Sequence, residues 1–202
     1  MTNHNILTRN DIRQLIRNKR QNLDENTQKK QAHLLAKNLV NHPKVSVAKS
    51  VAIYLTNDGE LNTQNFIQDC WNKNIKTYLP VIHPFSKGHL LFLHYHCQTV
   101  MKKNKYNIFE PKLNVQDVLP VAQIDIIFTP LVAFDNTGAR LGMGGGYYDR
   151  TLATWFSQKD VTNKPYPMGL AHDFQQVEKI PTEQWDIPIP EIITPNKHFK
   201  FF

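Results

Sequence analysis

Between Phe134 and Arg150 the chain reads Phe-Asp-Asn-Thr-Gly-Ala-Arg-Leu-Gly-Met-Gly-Gly-Gly-Tyr-Tyr-Asp-Arg, and four of its eight glycines fall at 142, 144, 145 and 146. Glycine lets main-chain amides approach an anion closely, and a helix that follows adds its positive N-terminal end. Arg140 stands just before the cluster and Asp149 just after it. Together they predict a phosphate cradle with a cation at its mouth and a carboxylate placed to hold a metal. The loop is neither of the two common nucleotide signatures. Gly-x-x-x-x-Gly-Lys-Ser/Thr is absent, and Tyr147 stands where a dinucleotide fingerprint needs glycine. The glycines alone would equally suit a turn that binds nothing.

A second group of cations lies near the N-terminus. Thr8 and Asp11 form a capping-box pattern that opens a helix reaching about Leu23. Its apolar face is Ile12, Leu15, Ile16 and Leu23. Arg9, Arg13, Arg17 and Arg20 form a stripe beside that face, so a docked helix would hold them at the rim of whatever it docks on. A solvated basic face is the competing reading. A net charge of +7 favours an anionic partner, whether nucleic acid, nucleotide or small polyanion. No regularly spaced aromatic platform speaks for RNA. His94 and His96, two apart on one strand, lack a third ligand and read as a solvated strand face. Cys70 and Cys97 have no metal spacing, the N-terminus is polar, and no apolar run is long enough to span a membrane. A reduced, cytoplasmic protein is expected.

The elements that must position these residues alternate. A second helix is expected from about Asn26 to Val40, burying Ala32, Leu35, Ala36 and Leu39. Val51–Leu55 reads as a strand ending in the turn Thr56–Glu60. Thr63 caps a helix with Phe66, Ile67, Cys70 and Trp71, and Ile75–Leu79 gives the next strand, completing a βαβ unit. Pro80, Pro84 and Gly88 bracket a loop, and Leu90–His96 is a strand. Lys102, Lys103 and Lys105 lead into a loop from Tyr106 to Pro111, and Val115–Pro120 has no clear type. Ile124–Val132 is the most strand-like run and delivers the glycine loop. A helix from Tyr147 to about Phe156 follows, then a linker at Lys164–Pro167, a strand at Met168–Ala171, loop from Gln175 to Pro190, and an edge strand at Ile192–Ile193. This alternation predicts one α/β domain over residues 1–202, a three-layer α/β/α sandwich with a mainly parallel, Rossmann-like sheet. Ligands of such sheets sit at the carboxyl ends of the strands, where Glu60, Tyr106 and the glycine loop all fall.

With these residues in view, the chain resembles the 5-formyltetrahydrofolate cyclo-ligase (5,10-methenyltetrahydrofolate synthetase) family. The likeness starts at Arg9 and Arg13 and runs through Tyr54-Leu55, Glu60–Thr63 and Tyr106–Pro111. Its core is Pro130–Asp135 followed by Gly138–Asp149, and it ends with Gln175 and Trp185-Asp186. It implies a three-layer α/β sandwich that uses ATP and magnesium to close 5-formyltetrahydrofolate, with or without a polyglutamate tail, to the 5,10-methenyl form through a phosphorylated formyl group. By the same resemblance, Arg9, Arg13, Arg140 and the stretch Leu141, Gly142, Met143, Gly144, Gly145, Gly146, Tyr147 and Tyr148 would bind ATP. Arg140 and Tyr148 would act in catalysis. Leu55, Glu60, Tyr106 and Tyr148 would contact the folate, and Asp149 and Asp186 would hold magnesium. Some members carry basic residues inside the glycine loop, where this chain has Met143 and Gly145. A monomer with no nucleic-acid or membrane partner is expected. The alternative is a non-catalytic folate- or nucleotide-binding protein on the same scaffold.

Overall fold

An eight-stranded sheet runs through the computed structural model, which describes residues 7–157 and 165–202. Three helices come first: α1 (Arg9–Gln21), α2 (Glu25–Val40) and the short α3 (Pro43–Ser46). Next come β1 (Ser50–Ala52), α4 (Gln64–Asn72), β2 (Lys76–Ile82) and β3 (Leu90–Tyr95). A two-stranded hairpin, β4 (Met101–Lys103) and β5 (Phe109–Pro111), precedes β6 (Val118–Leu119) and β7 (Ile126–Pro130). A second small hairpin, β8 (Ala133–Phe134) and β9 (Arg140–Leu141), leads into the glycine loop and α5 (Tyr147–Ser157). The chain ends with β10 (Tyr166–Leu170), β11 (Glu191–Ile193) and β12 (His198–Lys200).

The sheet order is β12-β11-β10-β7-β1-β2-β3-β6. The five strands from β11 to β2 are mutually parallel, while β12, β3 and β6 attach antiparallel at the two edges. Alternate residues of the buried strands feed opposite faces. Val51, Ile53, Phe128 and Met168 pack under Leu35 and Leu39 of α2 and Phe66 and Ile67 of α4. Ala52, Phe92 and Ile127 pack on the other side against Leu152 and Trp155 of α5. The expected three-layer arrangement is therefore present. The four predicted apolar residues of α2 are all buried.

Helix α1 belongs to neither helical layer. Its capping box forms as predicted, the Thr8 amide donating to Asp11 and the Asp11 amide to Thr8 Oγ1. Ile12 and Ile16 dock on Val132, Ala133 and Leu141, against the β8–β9 hairpin. Leu15, expected on the apolar face, is instead exposed, and Arg20 is buried in the turn below.

Other local expectations needed correction. Thr63 precedes α4 without capping it, because its hydroxyl donates to the Tyr54 carbonyl at 2.7 Å. Pro80 lies inside β2 rather than in a loop. It is tolerated because β1 ends opposite Tyr78, so no parallel partner needs the missing donor. Residues 106–111 are half of a hairpin, and Tyr166-Pro167 begin β10. Ile192-Ile193 are not the sheet edge, which is β12. Lys164, the first residue of the expected linker, lies outside the described residues.

Among the described residues, one group of histidines and carboxylates converges: His42, Glu191 and His198, a group that does not include His94 and His96. Both Nε2 atoms hydrogen-bond Glu191 Oε2, at 2.8 and 2.7 Å, and the Tyr166 hydroxyl donates to Oε1 at 2.8 Å. The Lys44 amide donates to Nδ1 of His42, which leaves the proton of a neutral ring on Nε2. That suits a hydrogen bond to Glu191 and not a metal–nitrogen bond. The cluster ties α3 to the β11–β12 edge. Burial pushes the Glu191 carboxyl up, but the three donors outweigh it and hold it at about 2.

Candidate functional site

A cavity of about 810 Å³ opens at the carboxyl ends of β1, β2 and β7. Tyr54 and Leu55, Leu79 and Ile82, and Leu131 and Val132 supply its walls from those three strand ends. The β4–β5 hairpin closes one side with Tyr106, Ile108 and Phe109. Arg140, Gly142, Met143, Gly145, Gly146, Tyr147, Tyr148 and Asp149 line another. The predicted strand-end placement of Glu60, Tyr106 and the glycine loop holds: all three border one cavity.

Glu60 sits in a tight turn that explains its own sequence. Asp58 and Gly59 both have positive φ, 49° and 68°, and the Glu60 amide donates to the Asn57 carbonyl at 3.0 Å. A Cβ at Gly59 would lie 2.9 Å from the Arg20 carbonyl oxygen, so glycine is required there. Asp58 fastens the turn to α1 by accepting from Arg17 at 2.7 Å, Arg20 at 3.0 Å and Gln21 at 2.8 Å. From the other side His172, fully buried, contacts the Gly59 carbonyl through Nε2 at 3.1 Å and Gln31 through Nδ1. Burial depresses that imidazole to about 4, so it stays neutral. Burial raises the Glu60 carboxyl to about 7 against the opposing charge of Arg20. Arg20 is 1% exposed, and its Nε and Nη1 have no partner among the described residues.

The glycine-loop side is built from α1, β9 and α5. Arg140, 4% exposed, leaves β9 and pairs with Asp149 Oδ1 at 2.7 Å. Burial lowers the Arg140 pKa, and Asp149, Tyr148 and Asp186 oppose that shift. Asp149 Oδ1 also accepts from the Ile187 amide at 3.3 Å. Arg13 Nε donates to the Gly142 carbonyl at 2.9 Å. Arg9 forms a two-pronged ion pair with Asp186 and donates to the Pro181 carbonyl at 3.0 Å. Burial resists ionisation of Asp186, yet the Arg9 pair still brings its pKa below the ordinary value. Tyr148 feels both Glu60 and Arg140, and burial raises its phenol. The Tyr106 and Tyr147 hydroxyls meet at 3.0 Å across the mouth.

Every predicted folate contact (Leu55, Glu60, Tyr106, Tyr148) lines the cavity. Of the predicted phosphate residues, Leu141 is fully buried, and Gly144, Arg9 and Arg13 lie outside the lining; Arg13 reaches the loop at the Gly142 carbonyl, whereas Arg9 is engaged with Asp186 and Pro181. Asp186 is engaged by Arg9 and lies off the cavity wall. Gln175 is structural: its Nε2 donates to the Leu131 and Val132 carbonyls and fixes the end of β7. Sequence reasoning missed the residues that hold the Glu60 turn and the glycine loop in place. Arg17 and Arg20 were read only as part of a stripe, and Asp58, His172 and Arg150 were not singled out. Asp58-Gly59, a turn dipeptide between strand and helix, was the available signal.

Comparison with known proteins agrees with this geometry. The sequence pattern of the 5-formyltetrahydrofolate cyclo-ligase family matches residues 5–195. The 5-formyltetrahydrofolate cyclo-ligase of Escherichia coli K12 is 49% identical over 183 residues, covering 91% of this chain and 98% of that protein. The Haemophilus influenzae protein of the same name is 48% identical over 189 residues, covering 94% and 98%. The solution structure of Aquifex aeolicus 5,10-methenyltetrahydrofolate synthetase superposes with a TM-score of 0.80 at 27% identity, covering 96% of this chain and 93% of that one. With the fold, the cavity and the match along nearly its whole length in agreement, this chain is an enzyme and belongs to the 5-formyltetrahydrofolate cyclo-ligase family.

Proposed function

We propose that this enzyme closes 5-formyltetrahydrofolate to 5,10-methenyltetrahydrofolate while converting ATP to ADP and phosphate. The observation that carries the reading is the single cavity shared by Glu60, Tyr148, Arg140 and the glycine loop. It gives a partly buried carboxylate for the donor edge of a pterin and a buried cation and amides for phosphates in one space.

A formamide is a poor electrophile, and its oxygen leaves poorly. In the proposed reaction the formyl oxygen bonds to the γ-phosphorus as the bond to ADP breaks. The neighbouring folate nitrogen then bonds to the formyl carbon, the carbon–oxygen bond breaks, phosphate leaves, and that nitrogen loses its proton. Such transfers rest on positioning and charge stabilisation. Glu60 would accept from the pterin, and Tyr106 and Leu55 would flank the folate. Tyr148, its phenol kept neutral by burial, would donate near the reacting oxygen. Arg140 would meet the growing charge on the transferring group, with Arg13 and the loop amides on the remaining phosphates.

The residues present fit a magnesium ion. Asp149 Oδ2 has no partner among the described residues, although Oδ1 is engaged. Arg9 and Asp186 hold each other as stand-ins: phosphate would draw Arg9 away and free Asp186 for the cation. Magnesium takes a few carboxylate oxygens together with phosphate oxygens, and when bound it would offset phosphate charge. All these roles fall within one chain, so a monomer suffices. Cys70 and Cys97 are both free thiols, and we place the enzyme in the cytoplasm.

The test is turnover of 5-formyltetrahydrofolate by purified protein, followed by the near-ultraviolet absorbance of the methenyl product. Absorbance should rise only with ATP and magnesium together. Folate binding without turnover would favour the non-catalytic reading.

A further inference from the structure

The loop from Leu141 to Gly146 contains no charged side chain, so any cation that serves it must come from outside. Arg13 is one. Another, besides Arg140 on β9, is Arg150, in the first turn of α5, on the far side of the loop. Its Nε donates to the Gly88 carbonyl at 2.9 Å, and its Nη2 donates to the Gly145 carbonyl. Nη1 has no acceptor among the described residues. The guanidinium carbon lies 5.9 Å from the centre of the Tyr147 ring.

The fit around this guanidinium is close. Gly88 and Gly146 have φ of +82° and +62°. A Cβ on Gly88 would come within 2.3 Å of Nε, and one on Gly146 within 2.9 Å of Nη1. Arg150 therefore fills space that side chains at either position would take, and it joins the β2–β3 connection to the glycine loop. The two arginines also fix the direction of the loop's amides. In a planar trans peptide the C=O and the following N–H point opposite ways. Arg13 draws the Gly142 carbonyl toward α1, so the Met143 amide faces away from it. Arg150 draws the Gly145 carbonyl outward, so the Gly146 amide faces away from Arg150. Gly145 and Gly146 line the cavity and Arg150 does not, which places the guanidinium behind the loop.

We propose that Arg150 is a positioning residue for the nucleotide: it holds the glycine loop with the Gly146 amide toward the phosphates and backs that amide with positive charge. This rests on the reading that the loop holds ATP. Arg150 acts through the loop and contacts no reacting atom.

The test compares Arg150→Ala and Arg150→Lys with the wild type. Arg150→Ala should raise KM for ATP about tenfold, the effect of losing one charge-assisted contact. KM for 5-formyltetrahydrofolate at saturating ATP should change by less than about twofold, and the melting temperature by less than about 2 °C, because Arg150 is a surface residue. Arg150→Lys keeps the charge but not the two-pronged grip and should fall between them. Calorimetric binding of a non-hydrolysable ATP analogue should show the same order. An unchanged ATP KM in Arg150→Ala would overturn the proposal. So would parallel rises in both KM values with a matching fall in melting temperature, which would mark a merely structural role. Failure of the functional reading itself shows separately, as wild-type turnover that ignores ATP.

Discussion

Glu60→Gln separates the cost of burying a charge from the use made of it. The Glu60 carboxyl stands at about 7 in the folded protein, raised by burial against the pull of Arg20, from an ordinary 4.5. Between those values the folded state keeps a proton that the unfolded chain has released, so stability falls as pH rises through the window. A rise from 4.5 to about 7 corresponds to roughly 3 kcal/mol lost by pH 8, at about 1.4 kcal/mol per unit. Glutamine has the shape of the protonated acid and does not titrate. For a chain of 202 residues, ligand-free Glu60→Gln should melt about 6–12 °C above the wild type at pH 8. At pH 5 the gap should shrink to about a quarter of that, because the wild-type carboxyl is then protonated in the fold. The assay is thermal unfolding of both proteins without ligand, from pH 5 to pH 8. Turnover should move the other way, with KM for 5-formyltetrahydrofolate rising about tenfold or more as a paired anionic acceptor is lost. A gap that does not widen with pH refutes the electrostatic argument. A widening gap with unchanged KM refutes the assignment of Glu60 to the folate.

Asp149→Asn should leave the Arg140 guanidinium buried without its counter-ion; an equilibrium denaturant titration should show a loss of about 3 kcal/mol, and turnover should fall with it. Glu191 is held at about 2, below its ordinary 4.5, so it stabilises the fold above that range and the contribution is lost as pH falls toward 2. Glu191→Gln should therefore be less stable than the wild type at pH 7, and about three quarters of that deficit should be gone near pH 2.5, read from acid unfolding curves. Tyr106→Phe removes the 3.0 Å hydroxyl contact with Tyr147 but keeps the ring. Stopped-flow association of the folate should speed up by about two- to fivefold with little change in kcat, and an unchanged rate would show that the contact does not guard the entrance.

The layers of the fold were legible because burial writes itself into the sequence. Val51–Leu55 is a continuous apolar run, Ile124–Val132 is apolar but for Asp125, Thr129 and Pro130, and α2 shows a clean helical face. Three arginines of the stripe beside the apolar face of α1, Arg9, Arg13 and Arg17, do lie along the docked helix's rim, since helix geometry fixes which residues share it. What sequence could not supply was pairing. Asp58 and Asp186 look alike in the chain, yet one clamps a turn to Arg17 and Arg20 and the other holds Arg9. Arg20 sits one turn beyond Ile16 and looked like part of a solvated stripe, but the Glu60 turn covers it. The β8–β9 hairpin was missed because two-residue strands leave no periodicity to detect.

The pair that joins Arg9 to Asp186 spans 177 positions of the chain. During synthesis α1 emerges long before its partner and waits for it. The βαβ unit can pack early, being local, while the anion side of the cavity closes only after residue 186 has left the ribosome. A nascent chain stopped short of the Trp185-Asp186 turn can therefore hold most of a sheet without the proposed nucleotide site being finished.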